Sequence, residues 1–240
     1  RQQQIVRWDI ALGALESHTR YRYCGTGDDR TESMAKVQEL RKTTGGESLS
    51  RLLVEVRSCR LCAADLPLGP RPVLRASVGA KILIAGQAPG TKVQASGIPW
   101  NDASGKRLRQ WLDLSEADFY DDSKVAIMPQ AFCYPGKGAN GDLPPPPVCQ
   151  KTWHARLLAA MPNLEVLVVA GQYAQAYHLS GVRKGTLTET VAAWRDYQPR
   201  YFPIPHPSWH NNHWLKKNLW FERDLLPELR NKVHRVLGLR

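Results

Sequence analysis

The 240-residue sequence has no apolar run that approaches the about 20 residues needed to cross a bilayer. Its first residues lack the charged-then-apolar layout of a signal peptide, so a cytoplasmic protein with no membrane partner is the expectation. Cysteine is scarce and odd in number, five in all. That argues against a disulfide framework and makes metal ligation the first hypothesis. Carboxylates are also short, with 22 Asp and Glu against 33 Lys and Arg, a net charge of +11. No internal repeat is evident.

The surplus of positive charge is not spread evenly. Residues 1–50 hold eight Lys/Arg and seven Asp/Glu, and residues 51–240 hold the remaining 25 and 15. A basic domain attracts polyanions by steering and by counterion release from phosphates. Charge alone serves a merely soluble basic surface equally well.

Residues 1–48 are polar and read as an N-terminal extension, too poor in apolar side chains to fold alone. Two short stretches, Ile5–Leu15 and Thr31–Arg41, have weak helical patterns. Cys24 reads as an unligated thiol and Met34 as a candidate natural start. The expected folded domain spans residues 49–240. There, Lys81–Ala85, Val125–Met128 and Val166–Ala170 read as buried strands. Arg200–Ile204 is a weaker fourth, whose Pro203 suits an edge position or a strand end. Helical patterns lie over Gly105–Leu114, Pro147–Met161, Gln172–Leu179 and Trp214–Leu237, the last broken at Pro227. Strands alternating with helices imply a three-layer α/β/α fold around a mostly parallel four-stranded sheet. Ligands bind such sheets beyond the carboxyl ends of the strands. Two short motifs stand at those ends, Gly86-Gln87-Ala88-Pro89-Gly90 and His206-Pro207-Ser208.

Four cysteines fall into two pairs. Cys59 and Cys62 form a C-x-x-C just before the first strand. Cys133 and Cys149 flank fifteen residues that end in Pro144–Pro147. Four thiolates from two segments suit a tetrahedral zinc or a cubane iron–sulfur cluster, and spacing leaves both open beside four unconnected thiols.

From Leu52 to about Leu226 the chain resembles the thermophile-type uracil-DNA glycosylases, families four and five of that superfamily. The resemblance is carried by Cys59 and Cys62, the strand ending in Gly86–Gly90, Gly97-Ile98-Pro99-Trp100 and Asn101-Asp102-Ala103-Ser104-Gly105. The Cys133…Cys149 pair and His206-Pro207-Ser208 complete it. Their order and spacing are specific where each motif alone is weak. The resemblance implies a 4Fe–4S cluster on Cys59, Cys62, Cys133 and Cys149, with zinc as the lesser alternative. It also implies a monomeric enzyme that acts on DNA and hydrolyses the N-glycosidic bond of a flipped deaminated base, uracil first.

That chemistry needs a phosphate grip, a shaped pocket, a carboxylate or water at the sugar and a donor for the departing base. Asp102 matches the family-five catalytic aspartate; its plainer reading is a helix N-cap, and one side chain can serve both. His206 matches the histidine that stabilises the negative charge on the leaving base. Gln87 stands where family four has a glutamate and can position water but not act as a base. The backbone of Gly86, Ala88, Pro89 and Gly90 faces the expected pocket, Trp100 takes the place of the stacking phenylalanine, and Asn101 and Ser208 complete the contacts. Trp209, His210 and Asn211 are candidates for the wedge that replaces the flipped base. Lys106, Arg107, Arg109, Lys216, Lys217 and Arg223 are candidate phosphate contacts. One departure matters: family four reads the uracil edge with an asparagine four residues before the third cysteine, and here that position is Pro129. Gln130 and Asn140 are the alternatives nearby. The competing readings are a nucleic-acid-binding module of the same fold without excision, and a zinc-bearing structural domain.

Overall fold

A computed structural model describes residues 48–139 and 141–239. Cys24, Met34 and the two short helices expected before residue 48 lie outside the described residues, as does Asn140.

The three strongest apolar runs form the expected strands: β1 (Ile82–Ala85), β2 (Val125–Ile127) and β5 (Val166–Ala170), every residue of them buried. The weaker fourth is β6 (Tyr201–Ile204). The order is β2-β1-β5-β6 with every neighbouring pair parallel. Side chains alternate across this sheet. Ile82, Ile84, Val125, Ile127, Val166, Val168, Phe202 and Ile204 enter one core, whereas Leu83, Ala126 and Leu167 enter another. The first face is covered by α3 (Ala103–Leu112) and α9 (Leu226–Leu237), the second by α1 (Leu49–Arg57) and α5 (Ala155–Ala159). This is the expected three-layer arrangement.

Both edges of the sheet are specialised. Beyond β2, Arg75 and Ile127 exchange both backbone hydrogen bonds in an antiparallel bridge. The carbonyls of Arg200, just before β6, and of Ile204 at its end accept from Leu167 on β5 and from Gly171 just past it. By alternation Pro203 turns its nitrogen to the outer side, where no ladder bond is lost.

The remaining elements fill the connections. They are α2 (Thr91–Ser96) after β1, α4 (Glu116–Phe119), a small hairpin of β3 (Lys137–Gly138) and β4 (Gly141–Asp142), α6 (Gln172–His178), α7 (Leu187–Ala192) and α8 (Asn212–Lys217). The Pro147–Met161 pattern folds as a π-helical turn, Gln150–His154, running into α5. The break in the last helical segment is not at Pro227, as the sequence suggested. It falls at Asn218, whose side chain bonds back to the Trp214 carbonyl. Pro227 is the second residue of α9, directly after a π-helical turn, Phe221–Leu225, that runs into it, so the helix changes its winding there without breaking. Among the described residues, no helix is long and apolar enough to cross a membrane.

Candidate functional site at the carboxyl ends of the strands

Gly86 ends β1, and the indole of Trp100 lies directly on it. A methyl group on Gly86 would stand 2.8 Å from Trp100 Cζ2, so only glycine admits this contact. Trp100 itself has φ 57°, a left-handed conformation that is costly for a large side chain. It is held from below: its carbonyl rests on the first turn of α3 at Gly105 and accepts from Arg109 Nη1 at 3.4 Å. Arg109 also reaches the Tyr120 hydroxyl at 3.4 Å, which donates to Pro99 O at 3.0 Å. The strained turn is therefore braced by the elements around it.

Asp102 follows Trp100 by two residues and is the N-cap of α3, its Oδ1 accepting from Gly105 N–H at 2.8 Å. The capping role weighed from sequence is thus real. It fixes the carboxylate at the mouth of the site, partly exposed. Across from it stands His206, beyond β6. Its ring lies 5.3 Å from the Trp100 ring, and its Cβ side packs on Gly171 at the end of β5. Removal of the ring from water pushes its pKa down to about 4; the Asp102 carboxylate opposes this and His210 adds to it. His206 is therefore neutral at pH 7. Gly86 after β1, His206 after β6, and Trp100 with Asp102 on the turn between α2 and α3 are thereby brought to one place.

Asn211 Nδ2 donates to His206 O at 2.7 Å, and Arg107 donates to Ser208 O at 3.1 Å. Ser208 caps the short turn Trp209–Asn211. Trp209 is 68% exposed and stacks on His210 at 3.8 Å, so a flat aromatic pair projects beside the site. Asn101 is exposed next to it. Of the basic residues, Arg107 and Arg109 bind the loops of the site itself, Arg223 is paired with Asp224, and Lys216 and Lys217 are exposed on α8.

Gln87 and Ala88 are partly exposed, and Pro89 is buried. The carbonyls of Gly86 and Gln87 accept from the N–H groups of Gln130 and Ala131, which fastens the loop after β2 to the loop after β1. Pro129 and Gln130 are buried. The Gln130 side chain accepts from Gln150 Nε2 at 2.8 Å, and its own Nε2 has no protein partner.

Cys59, Cys62, Cys133 and Cys149 line one cavity, together with Leu66, Pro70, Phe132 and Pro146. Burial raises the pKa of Cys62, Cys133 and Cys149, the last to about 12, and the neighbouring cysteines push the same way. Backbone N–H groups of Arg71 and Phe132 oppose this at Cys133 and Cys149. A cationic group in this apolar cavity would reverse that shift and draw off the thiol protons, so four soft sulfur donors round one space fit a bound metal centre. Among the described residues, no three His, Cys, Asp or Glu side chains are grouped to hold a single ion.

Sequence reasoning missed Asp142, whose Oδ2 would lie 3.7 Å from a methyl on Gly90 and whose Oδ1 accepts from the Tyr134 hydroxyl at 3.3 Å. It also missed the buried Gln94 on α2. A Gly-Asp pair in a turn and a glutamine inside a helix carry no signal of their partners. A family model described as the Uracil DNA glycosylase superfamily matches residues 75–230, more than half of the chain.

Proposed function

Since the chain belongs to the uracil-DNA glycosylase superfamily, a superfamily of DNA glycosylases, we propose that it is a monofunctional enzyme of the family-four and family-five type, excising a deaminated base, uracil first, from DNA. The observation that carries this reading is the meeting of Trp100, Asp102 and His206 over Gly86 at the carboxyl edge of the sheet.

In this reading the extruded base stacks on Trp100, with the backbone of Gly86–Gly90 and Asn101 along its rim. Bond cleavage leaves positive charge on the sugar and negative charge on the base. Asp102 keeps Oδ1 on the Gly105 N–H, which leaves Oδ2 to orient the attacking water and to face the sugar cation. His206, held neutral by burial, donates an N–H to the base oxygen as charge develops there; a fixed neutral donor in a dry site stabilises an oxyanion without losing its proton. Gln87 positions water, and the unpartnered Nε2 of Gln130 offers donors to a base carbonyl. Ser208 grips a flanking phosphate, and Trp209, His210 and Asn211 fill the gap in the stack.

The four cysteines are assigned to a 4Fe–4S cluster. That assignment rests on the likeness to the family-four and family-five enzymes, with zinc on the same four sulfurs as the lesser alternative. When bound, the cluster would supply a covalent tie between the segment before β1 and the loop after β2, and no step of the excision runs through it. The protein is taken to act on DNA as a monomer.

The test is incubation with oligonucleotides carrying uracil, hypoxanthine or xanthine, followed by alkali. Strand scission at uracil is the expected result. No base release from any of the three, where a control enzyme acts, would leave a binding module instead.

A further inference from the structure

The short helix α2 joins the loop after β1 to the turn that presents Trp100, and the cysteine-bearing segments grip it along its length. Gln94, 3% exposed, is the centre of this grip. Its Oε1 accepts from Tyr134 N–H at 3.1 Å, one residue after Cys133, and its Nε2 donates to Gly69 O at 3.2 Å. Arg71 adds a second hold: Nη1 donates to Gln94 O at 2.7 Å and Ala95 O at 2.6 Å, capping the carbonyl end of the helix. The Arg71 guanidinium also packs on Gly97, where the chain turns left-handed (φ 74°) towards Trp100, and the Arg71 N–H points to Cys133. At the other end of α2, Tyr134 holds Asp142 against Gly90.

We propose that Gln94 and Arg71 are positioning residues, transmitting the geometry of the four-cysteine lobe to the Gly97–Trp100 turn. Base stacking then depends on that lobe being intact, although none of its atoms reaches the base. α2 has only six residues and no side-chain cap at its start. A helix this short has little stability of its own and takes its geometry from what holds it. The inference rests on the reading of Trp100 as the base-stacking residue.

The test is hydrogen exchange by mass spectrometry on the full chain, comparing wild type with Gln94→Ala, Arg71→Gln, Gln94→Glu and Cys133→Ser. In Gln94→Ala, Arg71→Gln and Cys133→Ser, exchange over residues 93–101 should rise at least about tenfold, the equivalent of one or two lost hydrogen bonds. Exchange over β5 should stay as in wild type. Gln94→Glu keeps the acceptor for Tyr134 N–H and should fall between. In oligonucleotide cleavage, Gln94→Ala should raise KM about tenfold while kcat moves less than about threefold. Unchanged exchange over 93–101, or a rise shared equally by β5, overturns the proposal. Should Gln94→Ala fail to fold, Arg71→Gln decides alone, since Arg71 is exposed. If the wild-type protein released no base, the excision reading would fall, while the exchange comparison would still decide whether the lobe holds α2.

Discussion

Replacing Gly105 by alanine sets two effects of opposite sign against each other. Gly105 lies in the first turn of α3, where alanine is favoured over glycine by about 1 kcal/mol. Helix propensity alone therefore expects a more stable protein. The new methyl, however, would stand 1.7 Å from Trp100 O, 2.5 Å from Trp100 C and 2.8 Å from Trp100 Cβ. Contacts under 3.0 Å are not sustained, so the Trp100 carbonyl must retreat by about 1.3 Å. The obstacle is backbone, held on its far side by Arg109 and Tyr120, and it cannot rotate away. Overpacking costs about 1–3 kcal/mol, and a backbone retreat of this size belongs to the upper end, about 2–3 kcal/mol, which exceeds the propensity gain of about 1 kcal/mol. A net loss of about 1–2 kcal/mol lowers Tm by about 2–8 °C for a chain of this size. The catalytic effect should be larger, because the same residue gives its N–H to Asp102. One methyl thus moves the stacking indole and the carboxylate together, and a shift of about 1 Å in reacting groups costs about a hundredfold in rate. The assay is single-turnover base release from the best substrate of the oligonucleotide panel, with a thermal melt alongside. A variant with a rate within about threefold of wild type and an unchanged or raised Tm would refute the reasoning.

Other perturbations separate the remaining roles. Asp102→Asn should abolish most turnover, with DNA affinity by gel shift nearly unchanged and Tm close to wild type, because asparagine caps a helix about as well as aspartate; unchanged turnover would place the chemistry elsewhere. Cys149→Ser should remove the broad absorbance near about 400 nm of an iron–sulfur protein purified without chelators and lower Tm; a colourless wild type with stoichiometric zinc would overturn the cluster assignment. Burial lowers the pKa of His154 to about 4, while an unfolded histidine titrates near 6.5. The unfolded chain therefore takes the proton first, and the stability associated with neutral His154 is present above about pH 6.5, declines as pH falls and is lost once pH passes below about 4. Between pH 7.5 and pH 5 this residue should account for about 2 kcal/mol of lost stability, read by urea unfolding, and His154→Leu should lessen the slope by that share, leaving the share of the similarly lowered His206.

What the sequence discloses and what it hides divide along physical lines. The strands were legible because Ile82–Ala85 and Val166–Ala170 are unbroken apolar runs, and such runs fit only a sheet covered on both faces. The proline of β6 marked an edge position correctly. Pro227 misled, since a helix can cross a proline by changing its winding, here from the π-helical turn Phe221–Leu225 into α9, and periodicity does not show that. The capping box of α7, Thr186 with Glu189, was present as a Thr-x-x-Glu signature and announces a helix that periodicity alone passed over. The left-handed Trp100 had no signal, because glycine or asparagine is the residue expected there. Contacts such as Gln94 with Tyr134 join residues forty positions apart and come into being only with the tertiary fold.

The outward-facing nitrogen of Pro203 and the short bridge made by Arg75 have a further effect, on how copies of the chain meet. A foreign strand that docks on a sheet margin must be offered a row of alternating donors and acceptors. One margin offers Pro203, which has nothing to give at its centre, and the other is already occupied by the chain's own Arg75. A copy that meets either margin therefore finds no unbroken ladder to extend.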